Sequence, residues 1–130
     1  MARLSDVVFD CRHAASLARF WAAALDGYEV AAYDDAELER LRARGIASPE
    51  DDPTVLVEAL GVTPRLWFQE VPEPKAGKNR VHLDLRCDDL TAETHRLVAL
   101  GATVVAAEGT FNEKQVVLYD PEDNELYLFG

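Results

Sequence analysis

Two stretches of this sequence lay out the same order of elements, and that repetition limits the fold more than any other feature. Residues 4–11 alternate Val7, Phe9 and Cys11 with Asp6, Val8 and Asp10, the two-residue period of a strand with one apolar face. Over residues 13–25, Leu17, Phe20, Trp21, Ala24 and Leu25 recur at helical spacing, and Asp26-Gly27 closes that helix. Strands are expected at 28–33, 54–60 and 65–71, the last two parted by a turn over 61–64. The order then returns: a strand at 80–87, a helix at 90–100 capped by Gly101, and strands at 103–107, 113–119 and 125–129, with a turn at 120–124.

The copies align residue by residue. An offset of 76 sets Asp6 against His82, Phe9 against Leu85, Cys11 against Cys87 and Trp21 against Leu97. An offset of 60 sets Leu66 against Leu126, Trp67 against Tyr127 and Phe68 against Leu128. The difference, 76 − 60 = 16, is an insertion in the first copy, which holds a charged helix (34–45, with Leu38 and Leu41 on one side) and an acidic loop (46–53). Residues 72–79, rich in Pro, Gly and charge, read as the exposed connection between copies. The expected fold is α+β: one domain over 1–130, made of a βαβββ module at 1–71, a linker at 72–79 and a second βαβββ module at 80–130.

Composition narrows the partners. Against 13 basic side chains stand 24 acidic ones, a formal charge of −11, so nucleic acid and anionic membranes are not expected partners. The longest apolar run, residues 20–25, falls far short of the roughly 20 residues a membrane span requires. Arg3, Asp6 and Asp10 interrupt the place of a signal-peptide core, so a cytoplasmic protein is expected. Cys11 and Cys87 are too few for a disulfide framework and end their strands on the apolar side, where they pack as thiols.

Alternation sorts the remaining side chains. In the strand at 80–87, Val81, Leu83 and Leu85 are expected to pack on helices, leaving His82, Asp84 and Arg86 opposite. The same rule leaves Arg65, Trp67 and Gln69 opposite Leu66 and Phe68, and Glu125, Tyr127 and Phe129 opposite Leu126 and Leu128. The first strand adds Asp6, Val8 and Asp10 to that second face. Large aromatics seldom line a bare solvated sheet, so Trp67, Tyr127 and Phe129 point to a ligand cleft. Thr110, Phe111 and Asn112 are placed in a loop at its rim. The charged run 34–44 reads as a solvated helical face, with a lid or a dimer contact as the alternative.

These residues resemble the glyoxalase/bleomycin-resistance superfamily, the vicinal oxygen chelate proteins. The resemblance rests on the paired modules, Phe20-Trp21, the stretch 71–75 (Val-Pro-Glu-Pro-Lys), the stretch 81–85 (Val-His-Leu-Asp-Leu), Leu100-Gly101-Ala102 and the closing run 120–125 (Asp-Pro-Glu-Asp-Asn-Glu). It covers nearly the whole chain and implies curled sheets that pair to form a U-shaped cleft. In metal-using members, four inward side chains hold one divalent ion. The matching positions here are Asp6, Trp67 (or Gln69), His82 and Tyr127, and only His82 is of the usual type. Trp67 cannot coordinate and a neutral Tyr127 is a poor ligand, so no metal or other cofactor is expected.

The expected function is binding or sequestration of a small, partly aromatic organic ligand by Asp6, Trp67, Gln69, His82, Asp84, Arg86, Tyr127 and Phe129, in a homodimer. The alternative is a lyase, isomerase or dioxygenase of the glyoxalase type. It would use His82 as its catalytic group, with or without a divalent metal.

Overall fold

The computed structural model describes residues 1–105, 111, 112 and 114–130. By contact density the chain divides into two units, Met1–Pro74 and Lys75–Gly130. The first holds β1 (Asp6–Cys11), α1 (Ala14–Ala24), β2 (Glu29–Val30), α2 (Asp35–Ala43), a 3-10 turn (Pro49–Asp51), β3 (Thr54–Glu58) and β4 (Arg65–Glu70). The second holds β5 (Leu83–Arg86), α3 (Leu90–Leu100), β6 (Thr103–Val104), β7 (Phe111–Asn112), β8 (Gln115–Tyr119) and β9 (Glu125–Phe129).

Local chemistry sets the ends of the helices. The Nδ1 of His13 accepts the Ser16 N–H at the start of α1, and Glu70 Oε1 accepts the Ala14 N–H at 3.2 Å. Those bonds satisfy donors that the first helical turn leaves free. Asp34 and Asp89 cap α2 and α3 in the same way, accepting from Glu37 and Ala92. Gly101 closes α3 at a φ of 122°, a conformation that disfavours any side chain.

In the first unit, α1 lies on the sheet face that carries Val55, Val57, Leu66 and Phe68, all buried. Phe9 packs between Trp21 and Phe68, with ring centroids 5.1 and 5.0 Å away. Seven residues of α1 are buried, Trp21 completely. Fully burying an aromatic or aliphatic side chain of this size contributes about 1.5–3 kcal/mol, so this cluster anchors the unit. The second unit has a leaner core of Leu97, Val116, Val117, Leu118, Leu126 and Leu128, and Leu97 is the one buried residue of α3.

The repeat holds at the level of register. The sheets run β1-β4-β3-β2 and β5-β9-β8-β6, and in each the first strand lies parallel to the last. Val7 faces Leu66 in one sheet and Leu83 faces Leu126 in the other, which are equivalent pairs under the offsets of 76 and 60. Even the thiols correspond. The Sγ of Cys11 donates to the Gln69 carbonyl (3.5 Å) and the Sγ of Cys87 to the Phe129 carbonyl (3.4 Å).

Several expectations need correction. The strand expected over 80–87 pairs only from Leu83 to Arg86, because the chain before it bends: Glu125 takes the Asn79 N–H, and the Asn79 side chain donates to the Val81 carbonyl. His82 therefore lies just outside the ladder, and Val81 is 73% exposed instead of packed on a helix. The strand expected over 28–33 shortens to Glu29–Val30, since Tyr33 turns to bond Asp52. Phe111 and Asn112 form a short strand on β8, not a loop. Residues 106, 107, 110 and 113, assigned above to two strands and the cleft rim, lie outside the described residues. Among the described residues, no helix is long and apolar enough to cross a membrane.

Candidate functional site

The face of the first sheet turned away from α1 carries Val8, Leu56 and Trp67 side by side, as the pairings Val8–Trp67 and Leu56–Trp67 require. The inserted helix α2 and the segment after β2 stand over this face and leave a cavity of about 480 Å³. Trp67 and Leu56 line it from the sheet, Ala31 and Tyr33 from the segment after β2, and Arg40 and Arg44 from α2 and its cap.

One carboxylate holds this wall together. Asp52 is only 1% exposed, and an unpaired carboxylate so buried would be costly. It has three donors instead: the Tyr33 hydroxyl at 2.8 Å, the Thr54 N–H at 3.0 Å and Arg40 Nη2 at 3.4 Å. Arg40 Nε also donates to Glu37 (3.0 Å), so α2 is tied to the loop before β3 through a single guanidinium. Burial, and then the bond to Asp52, raises the Tyr33 pKa well above the ordinary tyrosine value and keeps Tyr33 a neutral donor.

Asp6 sits at the edge of the same sheet, and Arg65 holds it in a two-pronged pair, Nε to Oδ1 at 2.7 Å and Nη2 to Oδ2 at 3.3 Å. The Arg65 hydrogen bond, with help from Ser5, keeps this carboxyl below its usual range. The same guanidinium lies 5.9 Å over the Trp67 ring. Gln69 is exposed and donates to Asp10 at 3.1 Å.

In the second unit the counterpart face is an open groove of about 680 Å³, lined by Tyr119, Glu125, Tyr127, Lys75 and Lys78 among others. His82 stacks on Tyr127, with centroids 4.0 Å apart and planes within 17°. Its Nδ1 lies 3.1 Å from Asp84 Oδ1 but off the hydrogen-bond direction, so this buried nitrogen has charge proximity without a bond. For Glu125, burial raises the pKa. The Asn79 N–H, its own N–H and the nearby lysines outweigh this and hold the carboxyl below its usual range.

The residues singled out by alternation thus fall into three sets: Asp6 with Arg65 and Trp67, Gln69 with Asp10, and His82 with Tyr127 and Asp84. Arg86 is exposed and Phe129 half-buried, and neither lines the groove. Sequence reasoning missed Tyr33, Arg40 and Asp52. Only the placement of Asp52 two residues before Thr54, where an aspartate can accept a backbone N–H, hinted at the last of them.

A family model of the glyoxalase-like domain matches residues 6–129. The chain belongs to the glyoxalase-like domain family. Solved structures share its fold. A glyoxalase/bleomycin resistance protein/dioxygenase family enzyme from Burkholderia phytofirmans is 19% identical, with a TM-score of 0.65 over 98% of this chain and 97% of that one. The fosfomycin resistance protein FosX from Mesorhizobium loti is 14% identical, with a TM-score of 0.66 over 99% and 91%. A mutant of FosX from Listeria monocytogenes, complexed with Mn(II) and 1S,2S-dihydroxypropylphosphonic acid, is 12% identical with a TM-score of 0.66 over 100% and 92%. The curated proteins give no match.

That Mn(II) complex raises the question of whether this glyoxalase-like chain has donors for a metal. In the first unit, the Asp6 carboxylate is engaged on both oxygens by Arg65, and Trp67 has no lone pair to offer. In the second, Tyr127 presents a phenol stacked face to face on His82. Among the described residues, no three His, Cys, Asp or Glu side chains gather as a metal would require. Within either unit, the described residues do not supply the three such donors that a divalent ion usually takes.

Proposed function

We propose that this glyoxalase-like protein binds a small, partly aromatic organic molecule and does so without a metal. One observation carries the reading. In each unit, the sheet face turned away from the helix bears a half-buried aromatic side chain, Trp67 or Tyr127, on the wall of an open cavity. Apolar walls with a few convergent polar groups are what small-molecule sites are made of. Trp67 is the stacking ring of the first unit's cavity and Tyr127 that of the second unit's groove. Asp6 stands beside the one through Arg65, His82 and Asp84 stand beside the other, and Gln69, Arg86 and Phe129 line neither. The same reading makes the protein a cytoplasmic homodimer whose −11 charge keeps it from nucleic acid and membranes.

A ligand screen by thermal shift tests it. A hit at 100 times its Kd adds about 2.7 kcal/mol of stability. Trp67→Ala or Tyr127→Ala should abolish most of that gain, and a hit that both variants leave unchanged overturns the reading.

The second reading is an enzyme of the lyase, isomerase or dioxygenase type with His82 as acid or base. It draws on the His82 Nδ1, which is buried, unbonded and 3.1 Å from Asp84. Turnover lost in His82→Gln, with ligand affinity kept, would establish it over simple binding.

A further inference from the structure

We propose that the α2-roofed cavity of the first unit takes a planar monocarboxylate, an aromatic acid whose carboxylate is received by Arg44. This deepens the small-molecule reading and rests on it.

Four charged side chains line the cavity: Glu37, Arg40, Arg44 and Asp52. Both carboxylates already have a cationic partner in Arg40. Asp52 accepts from Tyr33, Thr54 and Arg40, and Glu37 accepts from Arg40. Arg40 is spent between them. Arg44 lies exposed at the end of α2 and makes no ion pair among the described residues. The lining thus has one guanidinium free and no free carboxylate.

A guanidinium's planar fork pairs with the two oxygens of a carboxylate, and such bonds are about twice as strong as neutral ones. Glu37 and Asp52 leave the lining formally neutral, which suits one negative charge better than the two of a phosphate monoester. The apolar part of the wall sets the rest of the ligand. Trp67 offers a ring face, Leu56 lies beside it, and Ala31 and Ala32 have side chains too small to fill the space. About 480 Å³ accommodates a molecule of one or two rings.

The chain holds two tryptophans, which supply the readout. Trp21 is fully buried between Phe9 and Phe20 on the helix side of the sheet, so a ligand-induced change in emission reports Trp67. The full-length protein is titrated with benzoate and with its neutral isostere benzamide, exciting where neither absorbs. Benzoate is expected to saturate the Trp67 response at about tenfold lower concentration than benzamide, with the preference shrinking as salt rises. Arg44→Gln should bring the two curves together, and Arg44→Lys should keep part of the gap. Both variants alter an exposed side chain, and an unchanged melting temperature verifies their fold.

Equal affinity for the two probes, or a preference that survives Arg44→Gln, overturns the carboxylate assignment while leaving the aromatic site standing. No response of Trp67 emission or melting temperature to either probe overturns both.

Discussion

Unit one and unit two set the same strands in the same register, yet one side of the comparison has a roof and the other does not. The pair Val8–Trp67 and its equivalent Asp84–Tyr127 occupy matching places in the two ladders. Over Trp67 stands the inserted α2, fastened by Arg40 to Asp52, which also holds Tyr33 of the segment before the helix. Beside Tyr127 is an open groove, and the ring it meets is His82. The cores differ in the same direction: a cluster of Phe9, Trp21 and Phe68 under a helix with seven buried residues, against aliphatics under a helix with one. A duplicated ladder can therefore hold constant while the segment between its strands decides whether an aromatic face becomes a pocket.

The largest expected effect lies in the cores. Trp21→Ala should cost about 3–5 kcal/mol and Leu97→Ala, within the usual range of about 2–5, should cost less than Trp21→Ala, both by urea denaturation. An equal or larger loss at Leu97 would break the claim that the first unit has the stronger anchor. Next is the roof. Tyr33→Phe removes one donor from a buried carboxylate and should cost about 1–3 kcal/mol near neutral pH. The pH dependence has a definite sign. Tyr33 titrates higher folded than unfolded, so its contribution is complete below the ordinary value of 10.0 and is lost as pH rises through the folded value. The gap between wild type and Tyr33→Phe should close in alkali, and a gap independent of pH would contradict the network.

On the other side of the comparison, Tyr127→Leu breaks the stack on His82 and should cost about 0.5–1.5 kcal/mol by the same denaturation. The smallest effect is expected for Asp6→Asn, since the pair with Arg65 is only half-buried and lies within reach of solvent. Because Asp6 titrates lower folded than unfolded, its contribution is present above the unfolded value and lost as pH falls through the folded one. Added salt should erase the difference between Asp6→Asn and wild type, and a difference that persists in high salt would mean the pair is less exposed than it stands here.

Much of this was legible in the chain. The offsets of 76 and 60 named equivalent positions in the two copies, and the pairs Val7–Leu66 and Leu83–Leu126 fall at those positions. Trp67 and Tyr127 followed from alternation along their strands. What stayed hidden depends on contacts between distant residues. Nothing in an acidic loop marks Asp52 as buried, since its donors Tyr33 and Arg40 lie 19 and 12 residues away in the chain. The placement of Val81 failed for a related reason. Two-residue alternation assumes a continuing ladder, and Asn79 ends it early through Glu125.

The central claim is that this member of the family binds its ligand with no metal. The metal content of protein purified without chelator, measured beside His82→Ala, tests it most directly. The account predicts no stoichiometric divalent ion in either protein, while one ion per chain that is lost in His82→Ala would contradict it.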